Sequence, residues 1–138
     1  MATNKTTFTS ESPKDFILAS TTGQKQQDAL ALLDLYQEAT GLPPVMYGPS
    51  IIGFGRYEYK YASGHGGEAP LAGFSPRKDS HVLYIGPFAG RETLLRQLGP
   101  HKEGKVCVYV KKLADINLSV ARELIVGSME EAKNGNGC

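Results

Sequence analysis

Ser50-Ile51-Ile52-Gly53-Phe54-Gly55-Arg56-Tyr57-Glu58-Tyr59-Lys60-Tyr61 decides how this chain folds, because the sequence takes on a period of two across it. From Arg56 to Tyr61 the three tyrosines fall on one side and Arg56, Glu58 and Lys60 on the other, as in a strand with two unlike faces. Ile51 to Gly55 is apolar but carries two glycines, which predict a bulge or a close backbone approach. Gly53 and Gly55 do not make a nucleotide motif. The third glycine and the strand-to-helix setting are absent, and no Gly-Lys-Ser/Thr phosphate loop occurs anywhere.

Beyond this stretch, Ser63 to Gly67 reads as a loop, and Pro70 to Phe74 as a second strand with its proline at the start. A turn follows over Ser75-Pro76-Arg77-Lys78-Asp79, then an almost wholly apolar third strand, His81 to Ile85. Val106, Val108 and Val110 alternate with Cys107, Tyr109 and Lys111 in a fourth strand.

Helices flank these strands on both sides. Ser12 is placed to cap a short first helix, with Pro13 at its first position and Asp15 at its positive end. A longer helix spans about Gln24 to Thr40, where Ala29, Leu32, Leu33, Tyr36 and Ala39 form one apolar stripe. Gly41 supplies its left-handed cap and Pro43-Pro44 prevent continuation. Arg91 to Leu98 is a third helix, closed by Gly99-Pro100, and Asn117 caps a fourth carrying Leu118, Ala121, Leu124, Ile125 and Met129. The order helix-helix-strand-strand-strand-helix-strand-helix implies an α+β fold: an antiparallel sheet of four to five strands with helices on one face. Residues 1–10 are expected to be a flexible lead, 11–132 a single domain and 133–138 a disordered tail.

With 138 residues the chain is long enough to bury a core. Fifteen basic against 14 acidic residues give a net charge of +1, so the basic excess that duplex nucleic acid demands is missing. No apolar run approaches the roughly 20 residues that span a bilayer. The N-terminus has no signal-peptide core, and the two cysteines, Cys107 and Cys138, make no disulfide framework. These features point to a reduced, cytoplasmic protein with no membrane partner, as a monomer or homodimer.

Two groups of residues can carry binding chemistry. Arg77 and Lys78 lie in one loop, and His101, Lys102 and Lys105 in another; convergence of the two would hold a phosphate or carboxylate through charge-assisted hydrogen bonds. Tyr47, Ser50, Gly53 and Gly55 are the candidates to line a concavity beside them. Asp28, Asp34 and Glu38 on the long helix offer hard oxygen ligands for weak surface binding of iron. The tyrosines 57, 59 and 61 read as a strand's covered face rather than a base-stacking ladder. His65, His81 and His101 have no metal-site spacing, and no Gly-x-Ser-x-Gly elbow or cysteine-histidine pairing argues for catalysis.

The stretch Pro44-Val45-Met46-Tyr47-Gly48-Pro49-Ser50-Ile51-Ile52-Gly53-Phe54-Gly55 running into Tyr57-x-Tyr59-x-Tyr61 resembles the YdhG-like family of small bacterial domains. So do Gly73-Phe74-Ser75-Pro76-Arg77-Lys78, Leu98-Gly99-x-His101-Lys102-x-Gly104-Lys105 and Leu113-Ala114-Asp115-Ile116. Tyr47 stands where relatives commonly have tryptophan. The resemblance implies a frataxin-like arrangement and, since some members are described as iron chaperones, delivery of iron to a cofactor-assembly partner. A frataxin-type acidic ridge would fall on Asp28, Asp34 and Glu38. The function expected from sequence is thus a non-enzymatic binding or carrier domain: an iron chaperone, a small-anion-binding domain, or a protein-interaction module using an uncovered sheet face.

Overall fold

A computed structural model of the chain describes residues 8–60 and 66–133. Helix α1 (Pro13–Ser20) starts as its sequence dictates, with the Ser12 hydroxyl accepting from the Asp15 amide at 3.3 Å. Helix α2 (Gly23–Thr40) ends where Gly41 turns left-handed at φ +69° and returns its N–H to the Gln37 carbonyl. Helix α3 covers Arg91–Leu98 and α4 covers Leu118–Lys133, preceded by a 3₁₀ turn at Leu113–Asp115. The Asn117 side chain caps α4 by accepting from the amides of Ser119 and Val120.

The strands are β1 (Phe8–Thr9), β2 (Pro44–Tyr47), β3 (Ile51–Phe54), β4 (Tyr57–Lys60), β5 (Gly66–Ala69), β6 (Ala72–Pro76), β7 (His81–Tyr84), β8 (Lys102–Glu103) and β9 (Cys107–Val110). Seven make one antiparallel sheet in the order β1-β2-β3-β6-β7-β9-β8, and β4 pairs with β5 in a separate hairpin. The α+β class and the antiparallel pairing are therefore as expected. The strand count is not: four to five strands were expected where the sheet has seven.

The sources of the difference are local. Tyr57–Lys60 of the alternation do form a strand, but it belongs to the hairpin; the sheet takes the glycine-interrupted run before it. Pro44 opens β2 despite its missing N–H, and Gly66-Gly67, read as loop, begin β5. Phe8–Thr9, assigned to a flexible lead, pair with Met46 and Tyr47 as the sheet's edge. Residues 1–7 of the lead, Tyr61, His65 and Cys138 lie outside the described residues, as does the tail after Lys133, which itself ends α4 instead of belonging to the tail.

Cross-strand register sorts the sheet into two faces. Met46, Ile52, Phe74, Leu83 and Val108 stand side by side on one face, all with no exposed surface, and α2 and α4 pack onto it. Each such burial is worth roughly 1.5–3 kcal/mol. At the centre, Tyr36 of α2 lies against Phe54 and Phe74 with ring centroids 5.3 and 5.1 Å away. Its hydroxyl is buried without a partner among the described residues, and burial pushes its ionisation well above the ordinary value of 10. Replacing Tyr36 by Phe removes an unsatisfied polar atom and keeps the ring stack. The variant is expected to be more stable by about 1 kcal/mol. Urea unfolding checks this: the midpoint should rise with no change in slope.

Candidate functional site: the helix-free sheet face

The opposite face follows from the same register. Val45, Gly53, Gly73, Tyr84 and Cys107 form one row, and Ser75, Val82, Tyr109 and Lys102 the next. The β4–β5 hairpin, which joins β3 to β6, bends at its base over this face. Gly55 makes the bend at φ +73°, the Leu71 amide bonds the Phe54 carbonyl at 3.1 Å, and Pro70 lies directly on Gly53. A side chain at Gly53 would meet Pro70 Cβ at 2.7 Å, so the bend requires glycine there.

Between hairpin and sheet is a cavity of about 260 Å³. Tyr47, Ile51, Tyr57, Pro70, Leu71, Gly73 and Tyr84 line it, and Ser128 and Ala132 near the end of α4 also reach its lining. The lining is largely apolar, with aromatic rings from three different strands. Arg77 is exposed and outside the lining, but it reaches Tyr84, which is part of it. Its Nε donates to Ser75 Oγ at 2.8 Å and its Nη2 to the Tyr84 hydroxyl at 3.3 Å. Ser75 is fully buried and donates in turn to the Ser50 carbonyl at 2.5 Å, which fixes the acceptor that holds Arg77. Among the described residues no carboxylate comes within ion-pairing distance of this guanidinium. Arg77 is thus a cation positioned by neutral groups, with N–H donors to spare.

Tyr109 and Cys107 complete the surroundings. The Cys107 thiol beside Tyr109 holds its phenol above the ordinary value of 10, while Arg77 pulls the other way. Tyr109 is 38% exposed, so this end of the face is open.

The residues expected to bind an anion are separated by the fold into four places. Arg77 is on the sheet face, and Lys78 is exposed in the β6–β7 turn. His101 and Lys102 line a second concavity of about 350 Å³, together with Asp79 and Ser80 of that same turn. The two loops therefore do approach each other at one end of the sheet. His101 itself lies between acceptors, its Nδ1 2.7 Å from the Gly99 carbonyl and its Nε2 2.7 Å from Glu103 Oε2. Lys105 lies apart, in a shallow depression with Phe88, Arg91 and Glu92. Of the expected pocket residues, Tyr47 lines the apolar cavity, Ser50 anchors Ser75, Gly53 seats Pro70, and Gly55 is packed between Leu71 and Leu42.

The three acidic residues of α2 do not share a surface. Asp28 is buried, accepting from Gln24 Nε2 at 2.8 Å and from the Leu113 amide at 3.2 Å. It tethers the 3₁₀ turn to α2 and faces His81 at 4.0 Å. Glu38 pairs with Arg122, and Asp34 is exposed one turn before it on the same helix. Among the described residues no three His, Cys, Asp or Glu side chains come together as a metal site would need. No described helix is long and apolar enough to cross a membrane.

Ser75, Tyr84 and Tyr109 escaped sequence reasoning, although one signal was present. The alternation of Cys107, Tyr109 and Lys111 with valines already placed them on the less apolar side of their strand. Which residues stood beside them depended on strand order. Comparison of the chain with protein-family models, curated proteins and solved structures gave no match.

Proposed function

We propose that this protein is a binding domain for a small amphipathic acid, held with its apolar body in the cavity beneath the β4–β5 hairpin and its acidic group on Arg77. The observation that carries this reading is the Arg77 arrangement: two side-chain hydrogen bonds fix the guanidinium, no carboxylate among the described residues neutralises it, and Tyr84 joins it to the cavity wall. A rigid guanidinium fork suits a carboxylate or phosphate, and three tyrosines with two prolines suit a flat ring. The cavity volume of about 260 Å³ accommodates one or two fused rings rather than a large cofactor. Among the sequence readings this is the small-anion one, narrowed to Arg77 and extended by an apolar compartment. Iron handling has less support, because Asp28 is turned inward to the Leu113 amide and Glu38 is paired with Arg122.

Calorimetric titration with naphthoate and its neutral isostere naphthamide tests the proposal. The acid should bind and the amide bind at least about tenfold more weakly, since a charged hydrogen bond is worth roughly 1.5–3 kcal/mol. Arg77→Gln should abolish the difference between the two probes while leaving the melting temperature close to wild type. Equal binding of acid and amide to the wild-type protein would sink the reading.

A further inference from the structure

The second concavity, at the end of the sheet where β8 and β9 meet the β6–β7 turn, is not used by the amphipathic-acid site. We infer that it is a separate binding site for a compact phosphate-bearing small molecule. Backbone register creates it. Lys102 of β8 pairs across from Tyr109 of β9, so both side chains stand on the helix-free face. Lys111, two residues beyond Tyr109, continues on that face, and Lys112 follows at the entry to the 3₁₀ turn. All four line one concavity of about 350 Å³.

The charges there are unresolved within the protein. Among the described residues none of Lys102, Lys111 and Lys112 forms an ion pair, nor do Asp79 and Asp115 on the same lining. Three ammonium groups against two carboxylates, all exposed, leave a local positive excess over a concave surface. Lysines act as point donors without the planar fork of arginine, so they match the three terminal oxygens of a phosphate from several directions. The Tyr109 phenol, on the same lining, adds a neutral donor. The two aspartates limit the site: they oppose an extended polyanion and favour a small one, which agrees with the net charge of only +1.

The site stands on residues other than Arg77, so its test separates it from the amphipathic-acid reading. The full chain is titrated with pyrophosphate at constant ionic strength, held with chloride, and followed by amide NMR shifts. Saturable shifts at Lys102, Tyr109 and Lys111 are expected. Combined Lys102→Ala, Lys111→Ala and Lys112→Ala should weaken binding about tenfold or more, and Arg77→Gln, whose charge reaches the site only through Tyr109, should weaken it by less than about threefold. Lys111→Glu alone provides a second variant on an exposed position and should weaken binding by several-fold. Shifts reproduced by chloride alone, or a lysine variant that binds as wild type does, would overturn the inference. Loss of pyrophosphate binding in Arg77→Gln would overturn the claim of a separate site.

Discussion

Gly99→Ala is expected to destabilise the protein by about 3 kcal/mol, lowering its melting temperature by roughly 10 °C. Gly99 closes α3 with φ +114° and ψ −167°, a conformation that residues with a Cβ rarely adopt. An added methyl would also sit 2.6 Å from the Asp115 carbonyl oxygen, a backbone atom that cannot rotate away. Just past it, the Asn117 amide donates to the Leu98 carbonyl at 2.8 Å, locking the end of α3 to the start of α4. A strained Gly99 therefore disturbs two helices at once. Gly104→Ala is the matched control, since nothing lies within 4 Å of its missing Cβ. It should change stability by no more than about 0.5 kcal/mol. Thermal and urea unfolding of the two variants checks the contrast.

Acid is expected to weaken the fold through His81. This residue lies on the helix-covered face of β7, has no exposed surface, and neither ring nitrogen has a hydrogen-bond partner among the described residues. Its pKa is lowered from 6.5 to about 4, first by burial and then by Lys25, with Asp28 opposing them. A lowered pKa on a base means that the folded state resists the proton that the unfolded chain accepts. Stability is therefore highest above about pH 6.5, falls as pH drops towards 4, and levels off below that. The full effect is about 3 kcal/mol, at about 1.4 kcal/mol per pH unit within the window. His81→Leu fills a similar volume without an ionisable group. Asp28 keeps its bonds to Gln24 and Leu113, so the variant should fold. Its stability should fall less steeply with acid than wild type by one proton's worth, as read from urea midpoints at several pH values. Parallel curves would show that His81 is not the group responsible.

What could be read from sequence divides along a physical line. Helix ends are set by neighbours in the chain, and so Ser12, Gly41, Gly99 and Asn117 marked them correctly; α3 has the expected bounds of Arg91 to Leu98. Strands at the sheet edges depend on partners far away. A two-residue segment such as Phe8–Thr9 or Lys102–Glu103 has no period of its own, and only β2 or β9 makes it a strand. The same limit applied to the binding face. Arg77 and Tyr47 were visible as residue types, whereas Tyr84 became relevant only because β6 and β7 pair in a register that sets it beside Gly73, within reach of Arg77. Asp28 misled for a related reason. The family resemblance grouped it with Asp34 and Glu38 in an acidic ridge, but its carboxylate is turned inward to the amide of Leu113, a contact across 85 residues of chain.

The central claim is that Arg77 and the cavity beside Tyr84 act together on one ligand. The most direct measurement is the Arg77 Nε–H resonance during titration with naphthoate, alongside ring-proton contacts between the ligand and Tyr84. The account expects that resonance to shift and saturate with the acid, stay unmoved with naphthamide, and be accompanied by contacts from the naphthyl ring to Tyr84. Saturable naphthoate binding that leaves the Arg77 resonance in place, or that gives no contact to Tyr84, would contradict it.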